Sequence, residues 1–156
     1  VCGDGVREGS EQFEVRLSGE CNASVQDRTG VGTITDDEPL PVLSIVAAVQ
    51  AAERDTAVFT VTLSGPPTAQ SVSVNFATAP GTAASGTSCP IKGILSVDYV
   101  RQVGTLSFAP SVTTRQIRVP TCSDRFIGEQ NETFTVTLSN PVNATISQAV
   151  GTGTIH

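Results

Sequence analysis

The side chains able to do chemistry in this sequence are mostly carboxylates. Asp and Glu number 15 against 9 Lys and Arg, the formal net charge is −6, and the single His is His156. One imidazole, at the last position, cannot make a multi-His metal site. Four Cys, at positions 2, 21, 89 and 122, complete the reactive groups, and no pair has the Cys-x-x-Cys spacing of a zinc site. The acid excess disfavours nucleic acid and anionic membrane as partners and leaves cations as the natural ones. Carboxylate pairs also do acid/base work, but only in a concave apolar site that raises one pKa. Aromatics are 4% of the chain, its 6 Phe fall mostly on core positions, and no glycine-rich phosphate loop is present. The sequence therefore reads as non-enzymatic.

The elements that must position these groups are strands. The chain has 156 residues, about one ordinary domain. Apolar residues make up 38% and charged ones 15%. No apolar run approaches the roughly 18 residues of a membrane-spanning helix, so no membrane insertion is expected. Period-two alternation dominates: Phe59, Val61 and Leu63 oppose Val58, Thr60 and Thr62. The same pattern recurs at Val72, Val74 and Phe76, and at Phe134, Val136 and Leu138. Alternation is what a half-buried strand requires, because successive side chains fall on opposite faces. Further strands are predicted at 42–47, 104–109, 113–119 and 148–155. Turn residues such as Ser64-Gly65-Pro66-Pro67 and Ser139-Asn140-Pro141 separate them. About seven strands in roughly 120 residues predict an Ig-like antiparallel β-sandwich, an all-β fold.

The chain also repeats itself. Glu8, Phe13-Glu-Val-Arg-Leu-Ser18, Asn22-Ala-Ser24 and Gly30-Val-Gly-Thr-Ile34 match Glu129, Phe134-Thr-Val-Thr-Leu-Ser139, Asn143-Ala-Thr145 and Gly151-Thr-Gly-Thr-Ile155, at a constant offset of 121 residues. Before Glu8 the offset is 120, so Cys2 and Asp4 match Cys122 and Asp124. Residues 1–37 then form the C-terminal part of an incomplete repeat, ending in an acidic linker, and 38–156 form one complete repeat. Two or three strands alone are marginal in water, so Phe13, Val15, Leu17, Val31 and Ile34 are expected to need cover from another stretch of polypeptide. With Val1 at its start and no signal peptide, the sequence reads as a mature piece or a fragment of something longer.

Acids stand where these strands end. Glu53 precedes strand 57–64, Asp98 precedes 104–109, Asp124 and Glu129 lie between 113–119 and 132–139, and Asp36-Asp37 follow the strand ending near Ile34. In a sandwich, alternate strand ends meet at one pole, so these loops are expected to converge. Ca²⁺ takes six to eight oxygens from such loops. The bland reading is that the acids are solvated or hold Arg54 and Arg125. Glu11 and Glu132 read as structural residues at strand starts.

The motifs Glu129-Gln-Asn-Glu-Thr-Phe-Thr-Val-Thr-Leu-Ser-Asn-Pro141, Gly151-Thr-Gly-Thr-Ile155, Phe59-Thr-Val-Thr-Leu-Ser64, Asp98-Tyr99 and Gly104-Thr-Leu-Ser-Phe108 resemble Calx-β domains. Thr35-Asp-Asp-Glu-Pro39 is similar to the acidic linker between tandem copies. The resemblance implies a tandem sandwich module, extracellular and of the bacterial surface-protein type. It implies Ca²⁺ as the cofactor, with Glu53, Asp98, Asp124 and Glu129 as ligands in the complete repeat and Asp4, Glu8, Asp36 and Asp37 in the partial one. The family's last ligands follow the final strand, as at Asp36-Asp37-Glu38, and no acid follows Ile155 in this sequence.

Cys89 lies in the long 81–97 insertion and Cys122 opens the acidic loop, at the same pole, so the predicted disulfide is Cys89–Cys122. Cys2 and Cys21 flank strand 13–18 at opposite ends, roughly 20 Å apart at about 3.3 Å per residue, and make a poorer pair. Cys21 is left free or bonded to another subunit. Four Cys, a single Lys and abundant Thr, Ser, Val and Gly point to an extracellular or cell-surface protein. The reading is a structural or adhesive module, rigidified by Ca²⁺ and joined to neighbouring repeats or to identical subunits, head-to-tail, with a cell-surface or matrix ligand as a further partner. In the identical-subunit case a non-closing contact propagates as a filament. The alternative is a Ca²⁺-sensing regulatory module like those of sodium/calcium exchangers.

Overall fold

Alternating Thr, Val and Ser suit a pleated, half-buried surface, and the chain realises them as strands. A computed structural model describes residues 5–46, 48–90, 97–123 and 130–156. Strands β1 (Glu11–Arg16) and β2 (Thr29–Ile34) come first. They are followed by β3 (Val42–Ile45), β4 (Ala48–Ala51), β5 (Thr56–Ser64), β6 (Val72–Pro80) and the short β7 (Ser85–Gly86). The remainder are β8 (Tyr99–Val100), β9 (Val103–Phe108), β10 (Thr114–Pro120), β11 (Glu132–Val142), β12 (Thr145–Gln148) and β13 (Val150–Ile155). Two sheets make a sandwich, one ordered β10-β5-β3-β12 and the other β4-β13-β11-β6-β9. The pair β1-β2 forms a separate two-stranded sheet, and β7-β8 a small one beside the sandwich.

The core lies between the two large sheets. Phe59, Val61, Ile117, Val119, Leu43 and Ile45 face Val72, Val74, Phe108, Phe134 and Val136 across it, all buried. Burying one such side chain contributes about 1.5–3 kcal/mol. Phe134 meets Phe59 edge-on with centroids 5.9 Å apart and stacks on Tyr99 at 4.4 Å. The glycines of β13 make room for these rings. A Cβ on Gly151 would meet the Val46 carbonyl oxygen at 2.5 Å and the Phe59 ring at 3.0 Å, and one on Gly153 would run into the Phe134 ring. The Gly-x-Gly-Thr motif is thus a packing device.

Two strands differ from the sequence reading. The predicted strand 42–47 holds β3 alone, and an unpredicted strand, β4, follows it in the opposite sheet; the predicted strand 148–155 is β13 with the last residue of β12, which lies in the other sheet. Near Val46, whose N–H donates to Thr60 O (3.0 Å), the chain crosses from one sheet to the other. Its direction is kept, so β3 pairs β12 and β4 pairs β13 in parallel, within otherwise antiparallel sheets. The crossing puts β3 inside one sheet, between β5 and β12, and β4 at the edge of the other.

Candidate functional site

The loops at one pole of the sandwich converge through Thr121. Its backbone N–H donates to Asp55 O (2.9 Å), and its hydroxyl accepts from Asp55 N–H (2.9 Å) and donates to Ala52 O (2.7 Å). This pins the β4–β5 turn, in which Arg54 is left-handed (φ 58°) and Glu53 is exposed. Next in the chain, Cys122 N–H donates to Asp98 O (2.8 Å), and Cys122 is bonded to Cys89. The predicted disulfide is therefore present, with Cα atoms 5.3 Å apart across 33 residues. Closing a loop of that length stabilises by about 3–4 kcal/mol in the chain-entropy model.

Glu53 and Asp98 thus lie on converging loops, but in different roles. Asp98 is buried and its Oδ2 accepts from Ala84 N–H (2.6 Å), tying the 81–86 segment down. Asp124, Glu129 and Asp4 lie outside the described residues. Among the described residues no group of three or more His, Cys, Asp or Glu is placed to hold a metal ion. The described carboxylates alone do not supply the oxygens Ca²⁺ requires. Beside this pole Tyr99 is fully buried. Burial pushes its phenol above the ordinary value, and the hydroxyls of Ser85 and Thr78 pull partly against that.

The remaining expected residues meet at the other end of the sandwich, where the β1–β2 unit touches it. Asp36 receives Glu8 N–H on Oδ1 (3.2 Å), and Arg7 Nε sits 3.0 Å from Oδ2. The Asp36 side chain is only 7% exposed and that of Arg7 33%. Arg7 Nη1 also donates to Glu38 O (2.6 Å). The Arg7 backbone makes a parallel bridge to Thr68: its N–H donates to Pro67 O (2.8 Å), and Ala69 N–H donates to its carbonyl (3.0 Å). The Glu38 carboxyl is raised above its ordinary value, first by a hydrogen bond with the Asp36 side chain. Asp37, next to it, is exposed. Arg7 is the residue that sequence reasoning missed. The acids were expected to hold Arg54 or Arg125. Arg54 joins none of the ion pairs among the described residues, and Arg125 lies outside them.

Beside Thr68 an apolar crevice of about 170 Å³ opens between the loops Leu63–Val72 and Phe108–Thr113. Ser64, Thr68, Ser111 and Thr113 bring hydroxyls to its lining, but no acid, base or thiol lines it. No helix among the described residues is long and apolar enough to cross a membrane.

Residues 45–154 match the Calx-beta domain family, and the chain belongs to that family. This is a family of non-catalytic modules. The match lies within the stretch 38–156 that the internal repeat marks off in the sequence. No curated protein matches the chain.

Proposed function

We propose that this chain is a non-catalytic structural module of a secreted or cell-surface protein, in which residues 5–37 belong to a second sandwich of the same kind. One observation carries this reading. The hairpin β1–β2 has the register of β11–β13, Phe13 opposite Gly32 as Phe134 is opposite Gly153, yet its apolar face is bare. In the complete repeat the far edge of β11 is taken by β6 and that of β13 by β4. Among the described residues the corresponding edges of β1 and β2 are open. The cover they accept is a body like residues 42–120. A second copy of this chain does not offer it, because its own β6 is already held between β11 and β9. A repeat array therefore fits better than a filament of identical chains. The disulfide suits an oxidising compartment. On this reading the Ca²⁺ role implied by the family belongs to the pole of Glu53 and Asp98, with Asp124 and Glu129, and calorimetric titration with Ca²⁺ against Asp98→Asn tests it.

The main experiment supplies the cover. A copy of residues 38–124 is fused ahead of Gly5. The expected result is slow amide exchange across β1–β2 and loss of binding of an apolar dye. Unchanged exchange and dye binding in a fusion that folds elsewhere would overturn the reading.

A further inference from the structure

Asp36, Asp37 and Glu38 put three carboxylates in a row at the junction between the hairpin unit and the sandwich. Such a run needs a countercharge. The family resemblance implies Ca²⁺ there, but Asp36 already faces a cation: Oδ1 accepts Glu8 N–H, and Oδ2, which accepts no hydrogen bond, lies 3.0 Å from Arg7 Nε. A dication at the same carboxylate would be repelled by that guanidinium.

We propose that Arg7 is a built-in cation at this junction, fixing the hairpin unit against the sandwich without a bound metal ion. The planar guanidinium presents several donors in fixed directions, so one side chain grips both Asp36 and the Glu38 carbonyl. Its backbone meanwhile extends the Pro67–Ala69 loop by two hydrogen bonds. Arg7 therefore joins three pieces: the end of the hairpin unit, the linker and the Pro-rich loop of the complete repeat. The arrangement is particular to this junction. By the internal repeat Arg7 falls at Ile127 or Gly128, neither of which carries charge. Removing Arg7 leaves the largely buried Asp36 carboxylate without its partner, a change that weakens a contact more than the pair's net worth.

The inference rests on reading the hairpin as a unit of its own, but its test does not use the fusion chain, so either can fail alone. It uses the full chain, labelled for amide exchange and residual dipolar couplings. In the wild type, both readouts are the same in millimolar Ca²⁺ and in chelator. In Arg7→Gln, exchange at Ala69 N–H rises roughly tenfold, about what loss of a half-exposed pair allows. The β1–β2 couplings then cease to share one alignment with the sandwich, while β5 and β11 keep their protection. Arg7→Lys, which retains charge but not the fork, falls between the two. Should Arg7→Gln not fold, Asp36→Asn reads the same contact. The proposal is overturned if chelator alone frees the wild-type hairpin, or if the variants leave exchange and couplings unchanged.

Discussion

The hairpins β1–β2 and β11–β13 are built alike and buried differently. Each of the six β1–β2 pairings, from Glu11 opposite Ile34 to Arg16 opposite Thr29, has its counterpart 121 residues on. Leu17 N–H donates to Arg28 O and Leu138 N–H to Ala149 O, both at 2.8 Å. Gly19 and Asn22 are left-handed (φ 73° and 57°), as are Asn140 and Asn143 (49° and 58°). In both, an aromatic ring lies over a cross-strand glycine. Yet Phe134 is 0% exposed and Phe13 46%. Hairpin geometry is therefore local, set by turn residues and by ring–glycine pairing. The stabilisation is not local, because it comes from the second sheet, which only one hairpin has.

That contrast breaks most sharply at the rings. Phe134→Ala should cost the sandwich about 3–5 kcal/mol, since the cavity opens beneath Tyr99 and Phe59. Phe13→Ala should change it by less than about 0.5 kcal/mol. Denaturant unfolding followed on both variants checks this. Equal losses would mean that the β1–β2 face is covered after all.

A smaller effect separates the glycines. Gly153→Ala pushes a methyl into a ring that cannot move, and about 1–3 kcal/mol of overpacking strain is expected. At Gly32 the Phe13 ring is free to swing into solvent, so Gly32→Ala should leave the melting temperature nearly unchanged. A matching loss at both positions would show that β1–β2 is held as rigidly as its twin.

The smallest effect is confined to high pH. Tyr99, the only tyrosine of the chain, stacks on Phe134 and has a phenol raised above its ordinary 10.0 by burial. A raised acid contributes stability that is intact below the unfolded value and is lost as pH climbs through the folded one. The sandwich should weaken as pH passes about 10, and Tyr99→Phe should remove that tyrosine-linked component. Ultraviolet titration of the single phenol, beside denaturant midpoints across alkaline pH, reads both. An ordinary phenol titration in the folded protein would mean that this end of the core is open to water.

Much of the complete repeat was legible in one dimension. The alternation at Phe59-Val61 and Phe134-Val136 located β5 and β11, because period two assigns a face whatever the neighbours are. The Cys89–Cys122 pair followed from placing both residues at one pole. The division of 42–51 into β3 and β4 did not follow. A segment that leaves one sheet for another keeps its composition while its partners change. Arg7 was not legible either. Glu8 N–H and the Asp36 carboxylate meet across 28 residues, and nothing near Arg7 in the sequence says which acid it will face. Asp98 was legible as an acid at a strand end, but not as the acceptor of the Ala84 N–H.

By itself the sequence determined the strands, their inward faces, the two copies of one hairpin and the disulfide, since these depend on local periodicity, turn chemistry and spacing. Only the tertiary structure decided which hairpin is buried, which sheet each half of a crossing strand joins, and that an arginine sits against the acidic linker. Those outcomes depend on which distant surfaces meet, and burial and ion pairing act between surfaces brought together in space, however far apart they lie along the chain.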